Sequence, residues 1–247
     1  MFIRTEKSIK EFMHYYPIVS GLIIIHLALW LLDFFLPVNI WGGGNTYLVS
    51  EGQYWRLVTP IFLHVDLMHA LFNSFALVLF GPALEQMLGK GKFLFAYLGA
   101  GIIGNLGTQL IEGSTWYGHV GASGAIYGLF GIYVFMVVFR KDLIDQANAQ
   151  IVVTIFIIGL IMTFLTDRIN QSGHVFGFIG GFALAPIVLS KARAFSHWRN
   201  RRRVDDDQIS FDPNRWNKRR VPKNFKKNIL WIVLGGLVLI GLLARFL

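Results

Sequence analysis

The sequence predicts an all-α protein, a polytopic transmembrane helix bundle with a core of six helices and one additional transmembrane helix at the C-terminal end. Apolar residues make up 54% of the 247 residues and charged residues only 15%, with a mean hydropathy of +0.53. A soluble protein of this length carries far more charge. Seven apolar runs approach the roughly 20 residues needed to cross the hydrocarbon core of a bilayer. Lys and Arg are concentrated in alternate connecting segments, as in multi-pass proteins.

Each apolar run predicts one membrane span. The runs cover residues 17–36, 63–84, 93–111, 122–139, 151–166, 171–190 and 229–245. The first run has no small-residue cleavage site before Pro37, which favours a retained span over a cleaved signal peptide.

The charge distribution predicts the orientation of the chain. With the N-terminus in the cytoplasm, the cytoplasmic segments hold twenty of the 23 Lys and Arg residues; these segments are 1–16, 85–92, 140–150 and 191–228. The positive-inside rule fits this arrangement and does not fit its inverse. We therefore expect a multi-pass protein of the cell membrane with a cytoplasmic N-terminus and an extracytoplasmic C-terminus.

The chain divides into four predicted parts: a cytoplasmic N-terminal lead (1–16), the six-span core (17–190), a basic cytoplasmic linker (191–228), and the seventh transmembrane helix with a short tail (229–247). The lead is either an interfacial helix or a solvated tail. The linker carries thirteen Lys or Arg against four Asp, which favours attraction to anionic lipid headgroups. Nucleic-acid binding is not expected, because no folded platform accompanies this charge.

Ser123 and His174 are the strongest functional candidates, because polar and ionisable groups are costly at membrane depth and usually face a bundle interior or a wet cavity. They lie near the outer starts of the predicted fourth and sixth spans. Both spans carry glycines at helical spacing: Gly124, Gly128 and Gly131 in one, and Gly173, Gly177 and Gly181 in the other. Such faces allow two helix backbones to approach closely, which a short serine side chain needs to reach an imidazole. The alternative is that these glycines only pack helices.

Three further polar residues fall at the same predicted depth, on the order of 5–15 Å below the outer surface at about 1.5 Å per residue. His69 and Asn73 are four residues apart on one face of the predicted second span and can donate two hydrogen bonds. Tyr127 lies one turn beyond Ser123, where its ring can hold the imidazole. Because Ser123 opens a helix, its backbone N–H is predicted to be unpaired and available to a developing oxyanion.

Over about residues 50–190 the sequence resembles the rhomboid family of intramembrane serine proteases. The matching motifs are Trp55-Arg56, His64 and His69 followed by Asn73, the series Gly81, Glu85 and Gly89, Trp116-Tyr117, Gly121-Ala122-Ser123-Gly124, and Gly173-His174 with Gly177 and Gly181. The resemblance implies a six-helix rhomboid-like core and a serine endopeptidase that needs no cofactor or metal. Its substrates would be transmembrane segments of membrane proteins, cut near the outer face of the bilayer.

The resemblance also implies roles for individual residues. Ser123 would be the nucleophile and His174 the general base and acid of a dyad that has no acidic third member. The Ser123 backbone N–H, Asn73 and His69 would stabilise the oxyanion. The supporting residues would be Tyr127, stacked on the catalytic histidine, Trp55 and Arg56 with a mainly structural part, Glu85 as a buried hydrogen-bonding anchor, and the motif residues His64, Gly121, Gly124 and Gly177.

Other classes of membrane protein are less well supported. No His-Glu-x-x-His run and no aspartate pair within the spans is present, and a zinc site from His64, His69 and His174 would lack a nearby carboxylate ligand. A transporter or channel is disfavoured because no internal repeat and no charged path through the spans are visible. A chaperone-like activity that binds helices in the same groove stays open as an addition.

Overall fold

The computed structural model describes residues 1–2, 6–166 and 169–196. The predicted seventh helix and all but the first residues of the predicted linker lie outside this range. The helices are α1 (Ile9–Tyr15), α2 (Pro17–Leu32), α3 (Val38–Gly42), α4 (Thr46–Ser50), α5 (Leu67–Leu88), α6 (Lys90–Glu112), α7 (Ser123–Phe139), α8 (Gln146–Leu165) and α9 (Gln171–Val188). Short 3-10 helices cover Tyr54–Leu57, Thr59–Phe62 and Leu189–Lys191.

The predicted class, an all-α polytopic membrane protein, is confirmed. Four helices in the described part are long and apolar enough to cross a membrane, namely α5, α6, α8, and α9 with its extension to Lys191. A fifth span arises if α1 and α2, which meet at a 115° bend, are taken together. The remaining apolar helix, α7, is shorter, with 17 residues. The six predicted core runs thus correspond to α2 and α5 to α9, although length alone qualifies only four or five of them as spans.

Helix α5 begins and ends later than the sequence indicated. The Asp66 carboxylate accepts a hydrogen bond of 2.8 Å from the backbone N–H of His69 and so caps the helix at Leu67. His64 therefore precedes α5 instead of lying within it, and His69 lies in the first turn of α5. At the other end only Gly89, with φ +79°, separates α5 from α6, where the sequence predicted an eight-residue loop.

Glu85 joins α5 to the start of α2. Its two carboxylate oxygens accept hydrogen bonds from the backbone N–H groups of Ile18 (3.0 Å) and Val19 (2.9 Å). These are two of the N–H groups that a helix leaves unpaired at its first turn. The contact agrees with the expected buried hydrogen-bonding anchor.

The predicted N-terminal lead contains the helix α1 (Ile9–Tyr15). Phe2 of the lead is buried, with its ring edge-on to Phe80.

Glycines allow α7 and α9 to meet backbone to backbone. A Cβ added at Gly177 or Gly181 would overlap the carbonyl oxygen of Gly124 or Gly128 on α7, respectively. On α6, a Cβ at Gly104 would lie 2.7 Å from the carbonyl oxygen of Gly173. The close approach that the glycine spacing predicted therefore exists, and it aligns the starts of α7 and α9.

A two-stranded antiparallel pairing, which the sequence did not predict, ties the segment between α2 and α5 to the α6–α7 connection. Strand β1 (Gly44–Asn45) pairs with β2 (Gly118–His119), with Gly44 opposite His119. The His119 ring lies directly over the Gly44 backbone, where any Cβ would overlap it. The pairing fixes the connection that leads into Ser123.

Candidate active site

The side chains of Ser123 and His174 meet at the aligned ends of α7 and α9. The distance between Ser123 Oγ and His174 Nε2 is 2.7 Å. Ser123 is the first residue of α7, and within the described residues no side chain caps this helix. His174 is buried in the first turn of α9, where the Asn170 side chain caps the helix through the backbone N–H of Gly173 (2.9 Å). The hydroxyl and the imidazole thus form a direct hydrogen bond.

The His174 ring is held from two further sides. Its face stacks on the Tyr127 ring, with centroids 4.1 Å apart and planes 15° from parallel. Its Nδ1 lies 2.9 Å from the hydroxyl of Thr163 on α8. The Tyr127 hydroxyl is 2.7 Å from the same Thr163 oxygen. The stacking matches the arrangement that the resemblance implied for Tyr127.

Thr163 belongs to this site, although no sequence pattern predicted it. Its hydroxyl also lies 2.9 Å from the carbonyl oxygen of Gly159, one turn back in the same helix. A threonine in an apolar helix commonly makes this bond to its own backbone, so its presence in the run 151–166 carries no signal of a site.

On its other side Ser123 borders the space that a side chain at Gly121 would occupy, between His69 of α5 and the turn before α7. Gly121 has φ +132° and donates its N–H to the Pro60 carbonyl oxygen at 2.9 Å. A Cβ built on Gly121 would lie 2.7 Å from His69 Nε2 and 3.7 Å from Ser123 Oγ. Asn73 Nδ2 is buried and makes no hydrogen bond to any residue that the structure describes. His69 therefore borders this space, and Asn73 carries an unused donor.

His64 lies behind His69 in a row of three histidines. The ring centroids of His26 and His64, and those of His64 and His69, are each 4.9 Å apart. His26 Nε2 lies 3.3 Å from the Tyr97 hydroxyl. No sequence pattern pointed to His26. No set of three or more His, Cys, Asp or Glu in the described ranges is arranged to hold a metal ion.

Arg56 holds the segment between α2 and α5 together. Its guanidinium donates to the carbonyl oxygens of Gly43 (2.6 Å) and Ile40 (3.1 Å) and to the Gln53 side chain (2.7 Å). Burial lowers the pKa of Arg56, yet a guanidinium stays protonated at any physiological pH. Trp55 is half exposed and donates its indole N–H to the Trp41 carbonyl oxygen at 3.4 Å. Neither side chain makes a hydrogen bond with Ser123 or His174.

Comparison with known families decides the class. The family model described as the Rhomboid domain matches residues 51–191, a range that contains Ser123, His174 and the two residues that hold the His174 ring, Tyr127 and Thr163. The chain belongs to the rhomboid family. This confirms the resemblance seen in the sequence, and the protein is accordingly an intramembrane serine protease, a hydrolase of the membrane.

Individual rhomboid relatives support the same assignment. The putative rhomboid protease YdcA of Bacillus subtilis is 46% identical over 197 residues, which are 77% of this chain and 98% of the relative. The rhomboid protease GluP of the same organism is 37% identical over 183 residues, or 69% of this chain and 36% of the relative. RHOMBOID-like protein 5 of Arabidopsis thaliana is 32% identical over 143 residues, which are 58% of this chain and 46% of the relative. The chain thus spans nearly all of the first relative and less than half of the other two.

Proposed function

We propose that this rhomboid protein cleaves transmembrane segments of membrane proteins near the outer face of the bilayer, through a dyad of Ser123 and His174. The observation that carries the proposal is the 2.7 Å hydrogen bond between Ser123 Oγ and His174 Nε2 inside the membrane helix bundle. A nucleophile and its base within hydrogen-bond reach, with the base oriented by a third group, is the arrangement that activates a serine.

In the first half of the reaction Ser123 Oγ attacks the scissile carbonyl carbon while its proton passes to His174 Nε2. The tetrahedral intermediate then collapses, the C–N bond breaks, and Nε2 returns the proton to the leaving amine. In the second half, Nε2 takes a proton from water, the hydroxide attacks the acyl-enzyme, and the proton returns to Ser123 as the new carboxyl product leaves. One water molecule is consumed for each peptide bond cut.

The space beside Ser123 suits a developing oxyanion. The first N–H groups of an uncapped helix are positive-end donors, and Ser123 is the first residue of α7. Asn73 Nδ2 is a buried donor that the described residues leave without a partner, and His69 Nε2 borders the same space. Donors aimed at developing charge contribute about 100- to 1000-fold each in soluble serine proteases. We assign Ser123 N–H, Asn73 and His69 to this role.

The location of the dyad limits the class of substrate. Ser123 and His174 lie at the starts of α7 and α9, which are the outer ends in the orientation that the charge distribution favours. A helix in lipid hides its peptide bonds in internal hydrogen bonds. The substrates are therefore transmembrane segments that unwind locally near their outer ends. In the same orientation the N-terminus is cytoplasmic, and the basic segment 191–228 is available to anionic lipids.

Cleavage of a helix-destabilised transmembrane reporter by purified protein in liposomes tests the proposal. We expect Ser123→Ala and His174→Ala each to lower the rate by roughly 10⁴-fold or more, as loss of the nucleophile or base does in other serine proteases. Ser190→Ala and His14→Ala make the same chemical changes at exposed positions and should cleave like the wild type. Wild-type cleavage by Ser123→Ala in a clean preparation would rule out the proposed nucleophile.

A further inference from the structure

Thr163 occupies an unusual position on α8. Most large apolar side chains of this helix face outward, and in the whole helix only Val152 and Thr163 are buried. The exposed members are Ile151, Ile157, Ile158, Ile161, Met162, Phe164 and Leu165. The one hydroxyl that α8 turns toward the bundle interior in its outer half is thus placed directly against the active-site imidazole.

The hydrogen bonds of Thr163 require a particular arrangement of protons. Its oxygen has three neighbours at bonding distance: the Gly159 carbonyl oxygen (2.9 Å), the Tyr127 hydroxyl (2.7 Å) and His174 Nδ1 (2.9 Å). A hydroxyl has one proton to donate and two lone pairs to accept with. The carbonyl can only accept, so the threonine proton goes to Gly159. Tyr127 and Nδ1 must then both donate to Thr163.

The opposite arrangement leaves unfavourable contacts. If Thr163 donated to Nδ1 of a neutral imidazole, its oxygen would face the Gly159 carbonyl at 2.9 Å with no proton between them. The imidazole proton would then be on Nε2, which lies 2.7 Å from Ser123 Oγ. A protonated Nε2 cannot accept the serine proton. Only the arrangement in which Thr163 donates to Gly159 satisfies every donor and acceptor. It also leaves His174 Nε2 without a proton, so that Nε2 can accept the proton of Ser123.

We propose that Thr163 is a positioning residue that holds His174 in the tautomer with its proton on Nδ1. This rests on the proposed Ser123–His174 dyad and extends it. In the Ser-His-Asp proteases a buried carboxylate sets the tautomer and orientation of the histidine. Here a neutral hydroxyl does so, and Tyr127 supports it twice, through the ring stacked on His174 and through the O–H that fills the second lone pair of Thr163.

The close approach of Tyr127 to α8 depends on a glycine. A Cβ added at Gly159 would lie 3.0 Å from the Tyr127 hydroxyl oxygen, which is tighter than ordinary van der Waals contact. Gly159 thus supplies both the carbonyl that takes the threonine proton and the room for the tyrosine hydroxyl. The network accordingly joins α7, α8 and α9 at a single oxygen atom.

Three variants of the full-length protein in liposomes test the role. Thr163→Val keeps the side-chain shape and removes the hydroxyl, and Thr163→Ser keeps the hydroxyl. Thr154→Val makes the same change as Thr163→Val at an exposed position of the same helix. Each is measured for kcat and KM on the transmembrane reporter, for thermal stability, and for the rate at which a fluorophosphonate labels Ser123.

We expect Thr163→Val to lower kcat roughly 10- to 100-fold, the effect of losing one buried hydrogen bond to the reacting group, with KM within twofold of the wild type. Labelling of Ser123 should slow by the same factor, since it needs the same base. Thr163→Ser should recover kcat to within about threefold, and Thr154→Val should match the wild type.

Two results would overturn the inference. One is a kcat for Thr163→Val within twofold of the wild type. The other is slower cleavage with unchanged fluorophosphonate labelling, which would place Thr163 in substrate access and not in orientation of the base. Failure of the dyad itself is recognised separately, because Ser123→Ala would then still cleave the reporter.

Discussion

Replacing Gly121 with alanine adds one methyl group to the space where the oxyanion would form. The methyl carbon would lie 2.7 Å from His69 Nε2, and even a tight contact needs 3.0–3.4 Å. The imidazole must therefore retreat by several tenths of an ångström, while the methyl group itself stands 3.7 Å from Ser123 Oγ. Because φ is +132° at this position, the alanine backbone also costs about 1–3 kcal/mol of folding stability.

We expect Gly121→Ala to lower kcat by roughly 100-fold or more, since it displaces one oxyanion donor and occupies the space of the developing charge. Gly52→Ala is the matched control. Gly52 also has positive φ, at +95°, but no atom lies within 4 Å of its added Cβ. Alanine at this position therefore loses folding stability through its backbone conformation but makes no steric overlap. Cleavage of the reporter, with folded protein measured by thermal unfolding, separates the two effects. A Gly121→Ala variant with wild-type kcat, or with a loss no larger than that of Gly52→Ala, would refute this geometry.

Three further outcomes are expected. Asn73→Ala should lower kcat by up to about 100-fold while folding is retained, because other oxyanion donors remain; unchanged turnover would leave Asn73 structural. Glu85→Gln should destabilise the fold by about 1–3 kcal/mol, because an amide NH₂ would face one of two backbone N–H groups that the carboxylate now satisfies, while kcat per folded molecule stays unchanged. Hydrogen bonds from Asn148 lower the pKa of Asp145, the N-cap of α8. The cap is therefore intact above the unfolded pKa of about 3.9 and is lost as the pH falls through the lower folded pKa. The measurement is amide hydrogen exchange, corrected for its intrinsic pH dependence. Protection of the Asn148 backbone amide against exchange should decline only below about pH 4. A decline that began near pH 6 would contradict this.

The site residues that could be predicted from the sequence are polar side chains whose burial in an apolar helix costs free energy. An imidazole or a hydroxyl in a lipid-crossing run needs a reason to be there, which pointed to His174 and Ser123. Glycine spacing indicated which two helices approach closely, and the structure places Gly177 against Gly124 accordingly. Tyr127 followed from helical geometry, since it lies one turn beyond Ser123.

Other parts of the structure could not be predicted from the sequence. Thr163 satisfies its hydroxyl within its own helix, so nothing in the sequence separates it from an ordinary packing threonine. The start of α5 was placed too early because the run of apolar residues extends upstream of the cap at Asp66. The β1–β2 pairing involves two residues on each side, which is too short for a pattern of alternation. His26 joins the histidine row only through the packing of α2 beside the loop that carries His64.

Mass spectrometry of the fluorophosphonate-labelled protein shows whether Ser123 is the nucleophile and His174 its base. In the labelling reaction the nucleophilic oxygen forms a bond to phosphorus, fluoride leaves, and the hydroxyl proton passes to the base. We expect a single modified peptide that carries the label on Ser123, with labelling lost in His174→Ala and retained in His14→Ala. A label on another residue, or undiminished labelling of Ser123 when His174 is absent, would contradict the proposal that these two side chains act as nucleophile and base.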